Sequence, residues 1–370
     1  MYNELVKEQT MTKENLDKEL KNKQTKANNT DVKEKKKHPF LFRIFLFFYN
    51  CIASCFKGLY KLLSVCFSFM FKHWISSIIT LFVVLPALFV TLYMIVEDTS
   101  FPTTDATIIA AAKQAQSKGE PEKGVVLSKS MYHQLDKELN SFFGWSVNDL
   151  ITTPTAWLDN RSNRQEGVIF ATLMFEQFFS TQIAKYGKGE DENVHLKKAR
   201  TTYFVFQPDR FWLPASEEQY LQGINMMQKY EKELTAGKAI YNLRSDDLYS
   251  LFQLLISENF LGEPLGRLNS DQYKTFSTAD NAIYYTQGVI LVVRDVVRTL
   301  HALYPNILNK GSDENFVKAF KKMDDINSFD PLLIMSGSHD SMLVDHRAKT
   351  ATYLFGLIER LRDISNSINR

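Results

Sequence analysis

Three stretches of the 370-residue chain hold side chains whose types and spacing suit chemistry. The densest is Gly144–Gly167, GWSVNDLITTPTAWLDNRSNRQEG. Asp159, Asn160, Arg161, Asn163 and Arg164 stand close enough there to form a charge-assisted hydrogen-bond network. Two readings are open. As a recognition loop, Arg161 and Arg164 meet a carboxylate or phosphate, and Trp145 or Trp157 offers an apolar face. As a structural loop, the same groups cap neighbouring helices. The second stretch is QPDRFWLPA, residues 207–215. Phe211 and Trp212 lie between two prolines there and suit either a packed rigid turn or an exposed contact patch.

The third pairs His339-Asp340 with Asp345-His346. On a helix, positions 339 and 346 share a face two turns apart. Helical metal pairs sit at i and i+4, so this spacing reads equally as an N-cap with exposed histidines. Glu258, in Ser-Glu-Asn-Phe, has a mildly suggestive context for glycan cleavage, and a plain helix end explains it as well. No P-loop, no G-x-G-x-x-G after a strand, no G-x-S-x-G elbow and no H-E-x-x-H occurs. The expected set is therefore a contact loop of Trp145, Trp157, Asp159, Asn160, Arg161, Asn163, Arg164, Phe211 and Trp212. No catalytic residue, metal ligand or cofactor is assigned.

The elements that must position these loops are helical. Helical periodicity runs through Ser128–Phe143, Glu166–Lys185, Ser216–Ala236, Ser245–Phe260, Thr278–Leu303 and Asp340–Ile368. Ser216-Glu-Glu-Gln has the form of a capping box. Strand-type alternation is scarce; Thr202–Phe206 is its best candidate and equally a helix end. An all-α fold follows. Gly167-Val-Ile-Phe and Gly288-Val-Ile-Leu, 121 residues apart, hint at two pseudo-repeated helical halves. Asp209 and Asp330, each ahead of a Pro-containing loop, are separated by the same interval.

Ahead of this domain the chain reads as membrane-bound. Trp74–Val96 carries no charge and matches the roughly 20 apolar residues a bilayer requires. Pro86 should kink it. Residues 1–73 contain 14 Lys and Arg against 7 Asp and Glu, a net charge of +7; the chain as a whole is +2. Basic flanks stay in the cytoplasm, which predicts an exported domain over residues 97–370. Residues 1–38 are polar and Lys-rich, the composition of a disordered cytoplasmic tail. In residues 39–72, Arg43, Asn50, Ser54, Lys57, Lys61, Ser64, Ser68 and Lys72 fall on one narrow stripe, the pattern of an interfacial helix. A second span over 40–56 is the alternative. Cys51, Cys55 and Cys66 all precede the apolar run, so the proposed exported domain holds neither a disulfide nor a Cys-based metal site.

The run Trp145–Val168, with Leu158-Asp-Asn-Arg and Asn163-Arg-Gln-x-Gly, resembles a bacterial domain-of-unknown-function family, number 2333. Trp212-Leu-Pro-Ala-Ser-Glu and Tyr220-x-x-Gly-Ile extend the resemblance. It implies an inner-membrane protein of proteobacteria with one N-terminal anchor and a helical exported domain; it implies no activity. The expected architecture is thus an all-α, membrane-anchored helical domain, single-pass, with residues 97–370 periplasmic. The expected function is a non-enzymatic envelope scaffold or interaction protein. Its alternative is an envelope enzyme acting on peptidoglycan or lipid through carboxylates near 159–166. Expected partners are the lipid bilayer and an envelope protein or a second copy, with no nucleic acid.

Overall fold

The computed structural model describes residues 106–150, 153–156, 159–185, 191–275, 278–308, 313–331, 334–337 and 344–368. Ahead of these it describes 53–54, 56–68, 72 and 74–97. The chain divides into two compact units, residues 1–87 and 88–370. Every regular element among the described residues is a helix, and no strand occurs among them.

In the first unit, residues 56–68 are helical with exposed apolar side chains, and Cys66 is a free exposed thiol. Residues 53–54 and 72 are helical as well; the remaining residues of the expected interfacial helix, the tail 1–38, Cys51 and Cys55 lie outside the described residues. The apolar run that follows is not one continuous α-helix. It consists of α1 (Trp74–Ile79), a π-helical turn (Thr80–Val84) and α2 (Leu85–Glu97), which ends in the second unit. Pro86 accounts for the break. It has no N–H to give, and its ring crowds the carbonyl four residues back. The turn before it widens, and the Leu85 N–H reaches to Thr80 O instead. The longest piece, α2, has 13 residues. No helix among the described residues is long and apolar enough to cross a membrane. This corrects the membrane-anchored fold class, the single-pass inner-membrane topology with a periplasmic 97–370, and the lipid bilayer as partner.

The second unit continues with α3 (Ala106–Gln116), α4 (Glu120–Leu139), α5 (Asn160–Phe178), α6 (Val194–Lys198) and α7 (Ser216–Thr235). It then runs through α8 (Ser245–Leu255), α9 (Gly262–Asn269), α10 (Ala279–Leu303), α11 (Pro305–Leu308), α12 (Asp313–Asn327) and α13 (His346–Ile368). π-Helical turns extend α5 over Phe179–Ile183 and α6 over Ala199–Tyr203. The expected strand Thr202–Phe206 is the end of that second π turn and the turn after it.

Helix α10 is the centre. Ile283 to Val297 is buried without a break, because α5, α4, α3, α12 and α9 all pack on it. Such a helix is apolar on every face, not on one stripe. Its two charged residues need partners at that depth. Asp295 accepts from Gln134 at 2.5 Å and meets His133 Nδ1 at 2.9 Å. Arg294 lies 3.6 Å from Asp324, which also takes Arg298 at 2.6 Å.

The closest approach is between α5 and α10. A Cβ on Gly167 would lie 2.9 Å from Val289 N and nearer still to Tyr285 O. A Cβ on Gly288 would lie 3.0 Å from Val168 N and nearer still to Arg164 O. Each glycine thus faces the residues three before and one after the other glycine, a local two-fold pattern. The backbones meet here because neither helix carries a side chain at the crossing.

Gly167→Ala and Gly288→Ala should each force the two helices apart, at a cost at or above the upper end of the roughly 1–3 kcal/mol of ordinary overpacking. Gly266→Ala, in α9 with open space around it, should be neutral or stabilising by up to about 1 kcal/mol. Urea denaturation of the three variants measures the contrast.

Candidate functional site

The Gly144–Gly167 stretch is built around one carboxylate, Glu138, at the end of α4. Arg164 Nε donates to Glu138 Oε1 at 2.9 Å, and Arg161 lies 3.5 Å from Oε2. Gln165 Nε2 donates to Oε2 at 3.0 Å and stands 2.9 Å from Gly144 O. Its Oε1 accepts the Ser146 N–H at 2.8 Å. Arg161 also reaches Gly144 O at 3.2 Å and the Ser141 hydroxyl. Gly144 has φ +62°, a left-handed position that glycine takes without strain, and it turns the chain back into this network. Burial by itself would raise the Glu138 pKa; Arg164 and Arg161 outweigh that and hold it below the ordinary carboxylate range.

The other expected residues separate into a buried set and an exposed set. Asn160, Arg161 and Arg164 are buried at the start of α5. Trp145 is buried, donates its indole N–H to Pro208 O at 2.8 Å and packs edge-on against Tyr220. Asp159 precedes α5 and makes no side-chain cap. With its nitrogen turned toward them, the Asn281 amide donates to Asp159 and to Asp280, each at 3.1 Å. Burial raises the Asp159 pKa. Asn163 is half-buried and donates to Asp159 O at 2.8 Å. Trp157 lies outside the described residues. The loop at 207–215 is pinned at its base. The Ser216 hydroxyl is 2.7 Å from Gln207 O and 2.9 Å from Arg210 O, and Asn148 donates to Arg210 O at 3.0 Å. Ser216 therefore ties the loop down and does not cap α7. The apolar tip is open: Phe211, Trp212 and Leu213 are exposed, Trp212 to 71% and Leu213 to 85%. A carboxylate or phosphate cannot meet Arg161 and Arg164 without displacing Glu138.

At the third stretch, Asp345 accepts the Ala348 N–H at 3.1 Å as a helix cap, and His346 Nδ1 accepts the Met335 N–H at 3.1 Å. His339 and Asp340 lie outside the described residues. No group of three His, Cys, Asp or Glu that could hold a metal occurs among the described residues. Glu258 is exposed.

Residues 68–263 match the family described as "Uncharacterized protein conserved in bacteria (DUF2333)". The chain belongs to that family. No curated protein and no solved structure gives a significant match. The matched span of this DUF2333 member contains the whole Glu138 network and the Trp212 tip, while α10 lies beyond it. The envelope scaffold and the envelope enzyme both required an anchor, and no helix among the described residues is long and apolar enough to provide one, so neither stands.

Two open clefts carry chemistry that no local motif announces. One, about 560 Å³, lies between α4 and α7 and is lined by Lys129, Tyr132, Gln228, Glu231 and Lys232 with Val125, Thr235 and Ala236. Glu231 is buried at its foot and accepts from Ser128 at 2.8 Å. The other, about 640 Å³, lies among α3, α10 and α12. Its basic residues are Lys113, Arg298 and His301. Its apolar floor is Ile109, Ala302, Pro305 and Phe320, with Gln116 beside them. Arg298 lies over the Phe320 ring at 5.1 Å. These residues are single polar positions on amphipathic helices, so in sequence they look like solvated faces.

A third feature has no opening. Glu176 is fully buried on α5, and neither carboxyl oxygen has a hydrogen-bond partner. Arg200, the nearest cation, gives its guanidinium to Glu192 at 2.7 Å. Burial raises the Glu176 pKa well above 4.5; Arg200 opposes this and Glu192 adds to it.

Two outcomes follow. Glu138→Gln strands Arg161 and Arg164 and should cost about 3–5 kcal/mol at neutral pH, as when one partner of a buried pair is removed. The lowered pKa means Glu138 contributes stability above pH 4.5 that is lost as pH falls through its folded value. The deficit of the variant in denaturant titrations should therefore shrink on acidification. Glu176 has the opposite sign. Its raised pKa gives stability present below pH 4.5 and lost as pH rises through the folded value. Glu176→Gln should therefore have a higher Tm than the native chain at pH 8.5, with the gap narrowing toward pH 5.

Proposed function

We propose that the helical domain binds a small anionic ligand with a flat apolar body, in the cleft among α3, α10 and α12. One observation carries this reading: three basic side chains line the cleft above an apolar floor, and no carboxylate is among the lining residues. Its volume of about 640 Å³ falls within the roughly 300–1,000 Å³ of small-molecule sites. The Phe320 ring has Arg298 over it and His301 at 5.7 Å, an arrangement that suits a flat ring sliding in beside it. Lys113, exposed on α3, has no carboxylate within ion-pair distance among the described residues. Asp324 pairs with Arg298, and Asp313 lies 4.0 Å from His301, so an anion entering here competes with two aspartates that stand behind the lining.

Titration of the full chain with 8-anilino-1-naphthalenesulfonate, an aromatic sulfonate, tests the reading by fluorescence. Lys113→Glu should weaken binding about fivefold or more. Ala302→Trp, which fills the cleft from its floor, should abolish it. Trp212→Ser, at the exposed tip, should leave it unchanged. Dye binding that ignores both cleft variants and disappears with Trp212→Ser would overturn the proposal.

A further inference from the structure

The α4–α7 cleft differs in chemistry from the one above. We propose that it is a second ligand site, for a small molecule ending in an anionic oxygen group, held by Lys129 and Lys232 over the buried Glu231. Lys129 comes from α4 and Lys232 from α7, and both are exposed at the rim of a cavity of about 560 Å³. Glu231 lies below them, only 6% exposed. It is the only carboxylate in the lining, so its charge decides what the cleft accepts. Ionised, it cancels one lysine and repels an anion. Protonated, it removes that repulsion and leaves two ammonium groups facing the cleft, with Gln228 and the Tyr132 hydroxyl as further hydrogen-bonding groups.

The surroundings favour the protonated form over a range where an ordinary glutamate is ionised. Burial holds the Glu231 pKa above 4.5, while Ser128, Lys129 and Tyr132 pull it partly back. The groups facing it are few. From α4 come Lys129 and Tyr132, with Asp136 one turn beyond Tyr132. From α7 itself come Tyr230 and Lys232. No histidine lines the cleft. His195 and Glu233 pair at 3.1 Å, and Glu233, two positions along α7, points to another side of the helix. The direction of any pH dependence of the cleft is thus set by Glu231, whose carboxyl is held above the ordinary value by burial.

Inorganic sulfate is a suitable probe, because it stays a dianion from pH 5.5 to pH 8.0. Isothermal titration calorimetry of the full chain should give tighter sulfate binding at pH 5.5 than at pH 8.0, because the lower pH favours the uncharged carboxyl. Glu231→Gln should bind equally at both pH values, and at least as tightly as the native chain at pH 5.5. Lys129→Glu and Lys232→Glu should each lose binding at both. Lys113→Glu, in the other cleft, should change nothing. Absence of binding at pH 5.5, a native pH dependence that persists in Glu231→Gln, or indifference to both lysine reversals would overturn the proposal. Should Glu231→Gln fail to fold by circular dichroism, the two lysine variants and the native pH dependence still decide it.

Discussion

The contact on which the second unit depends is the backbone crossing of α5 and α10 at Gly167 and Gly288. Two helices ordinarily pack with axes about 8–10 Å apart, set by the side chains between them. Here the space a Cβ would fill is held by the carbonyl of the opposite helix, so the axes close further. Close approach makes α10 a buried core element rather than one layer of a pair. It also explains the sequence around the crossing. Val168, Ile169, Val289 and Ile290 flank the glycines and are buried, filling the space on either side.

The crossing fixes the start of α5, and the start of α5 fixes the loop ahead of it. Arg164 lends its carbonyl to the glycine contact and its guanidinium to Glu138. One residue therefore joins the helix crossing to the loop network. From that network the order passes through Gly144 and Trp145 to Pro208 and the base of the 207–215 loop. The polar residues of Gly144–Gly167 are positioning groups in this sense. They hold the backbone, and what they hold out is the apolar tip at Phe211–Leu213. The clefts lie elsewhere, where helices packed around the central pair splay apart.

The all-α character was legible because helical periodicity recurs along the whole domain, and Ser216–Thr235 and Ala279–Leu303 lie within a residue of their expected limits. α4 begins at Glu120, not Ser128, because Gly119-Glu-Pro-Glu is a start signal written in polar residues ahead of the apolar pattern. α5 begins at Asn160, not Glu166, for a related reason: its first turn is a buried polar turn, and burial of Arg161, Arg164 and Gln165 leaves no hydropathic trace. The chemical density of that segment was visible. Its partner was not, since Glu138 lies on another helix and nothing local marks it. Glu231 and Lys129 were hidden for the same reason: they belong to different helices, and only the packing of α4 on α7 sets them side by side.

The apolar run at Trp74–Val96 shows the limit of hydropathy in another way. A hydropathy window adds side-chain contributions and is indifferent to the hydrogen-bond ladder beneath them. Crossing a hydrocarbon layer makes demands on both, because each backbone N–H and C=O must find its partner within the segment. Pro86 supplies no N–H, and the ladder around it shifts from the α to the π spacing over Thr80–Val84. The shift leaves six residues on one side and 13 on the other. Composition there is that of a span, while the hydrogen-bond ladder passes from α to π and back to α within it. The same distinction holds in α10, where 25 residues run unbroken and Gly288 sits inside the helix without interrupting it. Glycine keeps its N–H and therefore keeps the ladder; proline does not.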